Sequence, residues 1–209
     1  TGVGMGGDMG RVILILGGAR SGKSAFALKM AFQIGGEKVL FVATAEPVDA
    51  EMAARIAAHR QERHSGWRTL EVPRGVAQAV RGELRDERLV LLDCVTLLVN
   101  NILVRAGEEA DELAVQDAVM SEMAAIIETC RASRADFILV SNEVGMGLVP
   151  PYPLGRRYRD LLGQANCLLA AHADRVCLLI AGLPLEVKSP AGGESSPGSG
   201  TTQLAPSSE

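Results

Sequence analysis

An α/β fold around a mainly parallel central sheet flanked by helices is what this sequence predicts, on three observations. Short, uninterrupted apolar runs alternate with segments of helical period along most of the chain. The first apolar run ends in a glycine-rich loop that leads directly into a helical pattern. The composition, 47% hydrophobic and 22% charged over 209 residues, is that of one globular domain with a sizeable core.

The elements follow in order. Residues 1–10 are glycine-rich and aperiodic, which predicts a flexible lead-in. Val12-Ile13-Leu14-Ile15-Leu16 is continuous in the way of a strand buried on both faces, and the stretch from Ser24 to Met30 continues at helical period. Further strands are expected at 39–44, 89–95, 137–141 and 176–181, with a weaker edge strand at 67–72. Helices are expected at 51–63, 111–131 and 154–171, and another beginning near Thr96. Residues 189–209 are nearly all Ser, Pro, Gly and Thr, too polar to offset the ordering entropy, so a disordered tail is expected there and the domain proper spans 11–188.

Residues Gly17-Gly18-Ala19-Arg20-Ser21-Gly22-Lys23-Ser24 satisfy the pattern G-x-x-x-x-G-K-[ST] between a strand and a helix. The glycines let the backbone turn and aim successive N–H groups inward, where the helix dipole adds positive potential for an anion. Lys23 is then expected on the β- and γ-phosphates and the Ser24 hydroxyl on Mg²⁺. The fold expected is therefore that of a phosphate-loop NTPase, RecA-like, binding GTP or ATP.

In such sheets ligands lie beyond the carboxyl ends of the strands, which singles out Ala43-Thr44-Ala45, Asp93-Cys94 and Ser141-Asn142-Glu143. Asp93 ends an apolar strand and is open to two roles, as the acid that holds Mg²⁺ or as the cap of the following helix. His59 lies in a strong helix former whose apolar stripe is Met52, Ala53, Ile56 and Ala57. Read as off that stripe and flanked by Arg60 and Arg63, it is either a solvated residue or a nucleophile toward phosphorus. The segment 141–151 reads as a tight turn or as a substrate loop, and Arg156, Arg157 and Arg159 after it face either a phosphate or water.

A net charge of −4 with no basic stripe argues against a nucleic-acid or anionic-membrane partner. Cys94, Cys130, Cys167 and Cys177 form no C-x-x-C pair and are expected as reduced, buried thiols with no zinc site. No apolar run reaches the ~18 residues of a membrane span and no signal-peptide pattern opens the chain, so a cytoplasmic protein without a membrane anchor is expected.

Taken together, the phosphate loop, Val-Ala-Thr-Ala at 42–45, Glu-Met-Ala-Ala-Arg-Ile-x-x-His-Arg at 51–60, Trp-Arg-Thr-x-Glu at 67–71, Leu-Leu-Asp-Cys-Val-Thr at 91–96 with Asn101, and Ser-Asn-Glu-Val-Gly-Met-Gly-x-Val-Pro at 141–150 resemble a known family. It is that of the bifunctional adenosylcobinamide kinase / adenosylcobinamide-phosphate guanylyltransferases of cobalamin biosynthesis, and the resemblance runs from about residue 11 to 188. The resemblance implies that His59 becomes guanylylated and that Gly17 to Ser24 hold the triphosphate. It also implies that Ala43, Thr44, Ala45, Arg60, Gln61, Glu62, Arg63, Glu71 and Asp93 bind nucleotide. It implies adenosylcobinamide and adenosylcobinamide phosphate as substrates, and a homo-oligomer, since relatives are trimers. Some relatives carry two adjacent histidines where this chain has Ala58-His59, which leaves a single candidate.

The alternative is a single-activity phosphate-loop kinase for a small metabolite with no covalent histidine. A GTP switch fits less well, because Ser-Asn-Glu-Val follows the strand at 137–140 where Asn-Lys-x-Asp is expected of guanine-specific switches. An oligomeric recombinase-type ATPase needs a nucleic-acid surface that the acidic balance does not supply.

Overall fold

The structure, a computed structural model, describes residues 9–107 and 109–189. The tail expected at 189–209, save Ser189, and all of the lead-in but its last two residues lie outside them. Seven strands form one sheet in the order β3-β2-β4-β5-β1-β6-β7. They are β1 (Val12–Gly17), β2 (Val39–Ala43), β3 (Arg68–Glu71), β4 (Leu89–Asp93), β5 (Asp136–Asn142), β6 (Arg175–Ile180) and β7 (Leu183–Lys188). All neighbours run parallel except β6 and β7, which form an antiparallel hairpin. The expected edge strand is β3.

Among the described residues six helices accompany them: α1 (Lys23–Gly35), α2 (Ala50–Gln61), α3 (Val76–Glu83), α4 (Val95–Ala106), α5 (Glu112–Ala132) and α6 (Pro153–His172). The apolar strands β1, β2, β4 and β5 are buried on both faces, which their unbroken hydrophobic runs require. One core layer packs α3, α4, α5 and α6 against Leu14, Leu40, Leu92 and Leu139. The opposite layer packs Ala27, Met30 and Ala31 of α1 and Trp67 against Ile15, Phe41, Leu91 and Ile138.

Four sequence expectations need correction. The strand expected to run to residue 95 stops at Asp93, because α4 begins at Val95 with Cys94 as its N-cap. The strand expected to include Ala181 stops at Ile180, where Ala181 (φ 50°) and Gly182 (φ 82°) turn the chain into β7. Cys167 is exposed on the outer side of α6, so the four thiols are not uniformly buried. The stripe on α2 does not reach the core. None of its residues is buried; Met52 and Ile56 are half-covered and Ala53 and Ala57 are exposed.

Candidate active site

The carboxyl ends of β2, β3, β4 and β5 converge on a cavity of about 320 Å³ lined by residues of α1, α2 and α4 as well. Its size sits at the lower end of the range for small-molecule sites, ~300–1,000 Å³.

The phosphate loop enters at the β1–α1 junction. Gly22 takes a left-handed φ of 87°, which a Cβ disfavours, and Arg20 is also left-handed at 56°, a conformation uncommon for a side-chain-bearing residue outside such loops. At Gly17 an added Cβ would fall 2.4 Å from Ser21 Oγ, so the loop closes only on glycine there. Lys23 Nζ donates to the Gly18 carbonyl at 3.1 Å, folding the lysine back along the loop it emerges from. Ser21 Oγ is buried without a hydrogen-bond partner among the described residues.

Asp93 ends β4 in the same cavity, with the Ser24 hydroxyl among its polar neighbours. Burial raises its carboxyl above the usual range, and His59, Ser24, Lys23 and Arg63 partly offset that. Lys23 is lowered by burial, against the opposing pull of Cys94 and Asp93. The Cys94 thiol is pushed up to about 12, first by burial and then by the neighbouring Asp93 carboxylate. No side chain caps α4, so Asp93 is not spent as a cap and its carboxylate faces the cavity.

The wall opposite is α2, started by Asp49, whose carboxylate accepts from Met52 N at 2.7 Å. Met52, Arg55, Ile56, His59 and Arg63 follow one another at helical spacing along the cavity. His59 therefore lies on the same face as Met52 and Ile56, contrary to its reading as off the stripe, and the stripe roofs a cavity instead of a core. Its Nδ1 is 3.4 Å from a Glu62 carboxylate oxygen, and its side chain is about half exposed. His64 is otherwise occupied, its ring stacked near Phe32 and Trp67.

Arg63 stacks its guanidinium 3.9 Å over the Phe41 ring, while Nε and Nη1 are buried with no hydrogen-bond partner among the described residues. Burial lowers its pKa, with Asp93 and Glu71 pulling the other way. Arg60 pairs with Glu71, which lines the cavity.

Of the residues singled out in the sequence, Lys23, Ser24, Ala43, Ala45, His59, Arg63, Glu71 and Asp93 line the cavity together. Thr44 does not. Its buried hydroxyl donates to the Cys94 carbonyl (2.7 Å) and accepts from Cys94 N (3.0 Å), which ties the end of β2 to the end of β4. Gln61 and Glu62 are exposed. Cys94 and Asn142, singled out in the sequence only by their place at strand ends, line it too, as do Phe41, Met52, Arg55, Ile56, Thr96 and Leu97, which the sequence did not point to. Arg156 donates to the Pro150 and Pro151 carbonyls and Arg157 to those of Ala110 and Asp111, so both brace loops.

Parallel strands ending at a glycine loop, with lysine, serine and aspartate brought together beyond them, define the phosphate-loop NTPase fold of RecA-like type. A solved structure shares the fold: the flagellar accessory protein FlaH from Methanocaldococcus jannaschii, at a TM-score of 0.51 and 13% identity, covering 87% of this chain and 80% of that one. The chain belongs to the CobU family, cobinamide kinase / cobinamide phosphate guanyltransferase, whose model matches residues 13–187. It is 40% identical over 183 residues to the bifunctional adenosylcobalamin biosynthesis protein CobU of Escherichia coli, covering 85% of this chain and 99% of that protein. It is 42% identical over 175 residues to the bifunctional adenosylcobalamin biosynthesis protein CobP of Pseudomonas aeruginosa, covering 84% and 96%.

Proposed function

We propose that this chain phosphorylates adenosylcobinamide with GTP or ATP, and then transfers GMP from GTP through a guanylyl-histidine to give adenosylcobinamide-GDP. The observation that carries this reading is that one cavity holds both the phosphate-loop Lys23 and Ser24 and the helix-borne His59. In the first reaction the hydroxyl oxygen of the corrinoid's aminopropanol arm bonds to the γ-phosphorus. The bond from that phosphorus to the bridging oxygen breaks, the nucleoside diphosphate leaves and the hydroxyl proton passes to solvent. Lys23 is placed to neutralise charge on the transferring group.

In the second reaction a ring nitrogen of His59 bonds to the α-phosphorus of GTP and pyrophosphate leaves. A phosphate oxygen of the cobinamide phosphate then bonds to that phosphorus, the N–P bond breaks and the free imidazole returns. Arg63, with its unpartnered N–H groups beside His59 in the cavity, is the group best placed to offset negative charge during both half-steps.

The residues fit Mg²⁺. A serine hydroxyl and a carboxylate line one cavity, and Mg²⁺ is commonly held by one or two carboxylates plus substrate phosphates. Ser24 and Asp93 would hold it, and when bound it supplies charge neutralisation on the phosphates.

The exposed apolar residues of the β6–β7 hairpin, Ile180, Leu183, Leu185 and Val187, suit a subunit interface, and we read the protein as a homo-oligomer, a trimer by family resemblance. Among the described residues no helix is long and apolar enough to cross a membrane. The cytoplasm is where both nucleotide substrates are supplied, and we assign the activity there.

Incubation of the purified protein with GTP, Mg²⁺ and adenosylcobinamide, followed by chromatography, tests the reading. Cobinamide phosphate should appear first and cobinamide-GDP with pyrophosphate second. Accumulation of the phosphate alone would favour a single-activity kinase.

A further inference from the structure

The loop between β5 and α6, residues 143–152, is flanked by two hydrogen bonds to Thr96, a cavity-lining residue. At its start Asn142, a cavity-lining residue, donates its backbone N–H to Thr96 Oγ1 at 2.7 Å. Just past its end the Tyr158 hydroxyl donates to the carbonyl of the same Thr96 at 3.4 Å. Internally, Glu143 accepts from Gly145 N at 2.6 Å, and Arg156 clasps the carbonyls of Pro150 (3.1 Å) and Pro151 (2.8 Å). A loop so braced holds a definite shape, yet it turns its large apolar side chains outward.

Met146, Leu148, Val149 and Tyr152 are all well exposed, Leu148 almost fully at 97%. Val48, in the chain between the lining residues Ala45 and Met52, is exposed as well. Large exposed apolar side chains grouped at one place usually mark a binding surface. The cavity itself, at about 320 Å³, has room for a nucleotide but not for a corrin macrocycle beside it. The second substrate must therefore reach the phosphorus atoms with its aminopropanol arm while its ring system rests outside.

We propose that Met146, Leu148, Val149 and Tyr152 form the seat for the apolar face of the corrin macrocycle. The inference rests on the proposed function, since it is that reading which brings a corrinoid to this cavity. The loop is then the determinant of corrinoid affinity and takes no part in nucleotide binding.

The test separates the two claims. Guanylyl loading of the protein from GTP alone needs no corrinoid, whereas KM for cobinamide phosphate reads the seat. Leu148→Asp and Met146→Asp should each raise KM for cobinamide phosphate roughly 10-fold or more, as expected for losing a buried apolar contact and gaining a desolvated carboxylate, while loading from GTP persists. Leu113→Asp, an equally apolar-to-charged change at an exposed position on α5, should leave both measurements at wild-type values. A corrinoid KM within twofold of wild type in both loop variants, with loading intact, would overturn the seat and leave the proposed function standing. Loss of loading in the loop variants would place the loop in the nucleotide site and also overturn it. A wild-type protein that neither loads nor turns over cobinamide overturns both.

Discussion

Helices α2 and α4 are each twelve residues long and wall the same cavity, yet α4 buries six of its residues and α2 buries none. On α4, Val95, Leu98, Val99 and Leu103 are sunk in the core, and the buried Asn101 donates to the Thr44 and Pro73 carbonyls, which ties α4 to the segments that follow β2 and β3. On α2 the apolar residues Met52 and Ile56 are half-covered and line the cavity, and the rest of the helix is exposed. One wall is therefore part of the fold and the other is laid over it. The phosphate loop and Asp93 belong to the fixed part, and His59 belongs to the overlaid part. On the proposed function, the reaction at the γ-phosphorus falls to the fixed elements, and the covalent step to a helix with no buried residue.

The largest effect that probes this division is at Lys23. Lys23→Ala removes the cavity's phosphate-loop charge on which both reactions depend, and is expected to lower both activities by more than roughly 100-fold. Assays of kinase and guanylyltransferase turnover at saturating corrinoid check this; loss of only one activity would mean that the two use separate nucleotide sites.

A stability comparison comes next in size. Leu98→Ala in α4 leaves a cavity at a fully buried position and should cost about 2–5 kcal/mol in denaturant unfolding. Ile56→Ala in α2, at a half-exposed position, should cost less than about 1 kcal/mol. Equal costs would show that α2 is as integral to the core as α4. Amide exchange sharpens the same point: with few buried contacts, α2 should exchange faster than α4, and GTP should slow it.

The smallest expected effect is a pH dependence at Asp93. Burial raises its folded-state pKa above the unfolded value, so the folded protein binds the proton more tightly and stability is lost as pH rises through the folded pKa. Asp93→Asn removes that loss. Without nucleotide or Mg²⁺, the melting temperature of the variant minus that of the wild type should be more positive at pH 7.5 than at pH 5, while Mg²⁺-dependent turnover falls. An unchanged difference across pH would mean that the carboxylate suffers no net penalty in the fold.

The fixed half of the site is the half that the sequence displays. Gly17 to Ser24 and the strand ending in Asp93 are local patterns whose geometry follows from glycine dihedrals and strand burial, and the sheet follows from runs of period that need no partner to be recognised. Helix α2 was readable as a helix because its periodicity is internal, but what its stripe faces is a tertiary matter. That is why His59 reads as off the stripe in sequence and stands on the cavity face in the structure. Helix α3, eight residues after Gly75, is too short to show a period clearly, and β7 alternates around Pro184 with every residue exposed, so it offers no buried run to detect. Asn142 reaches the cavity because β5 pairs with β1 in a register that sets it opposite Gly17; its place at the end of an apolar run is legible in the sequence, and its pairing partner is not.

The division between a fixed γ-phosphate site and a helix-borne nucleophile is tested most directly by incubating wild type and His59→Asn with GTP labelled at the α- or the γ-phosphate, and counting label in the denatured protein. The wild type should retain α-label and no γ-label, through a bond stable in base and cleaved in mild acid. His59→Asn should retain neither while still phosphorylating cobinamide, because γ-transfer uses Lys23 and the phosphate loop without a protein nucleophile. Retention of α-label by His59→Asn, or loss of its kinase activity together with the label in a protein that still folds and binds GTP, would contradict the account.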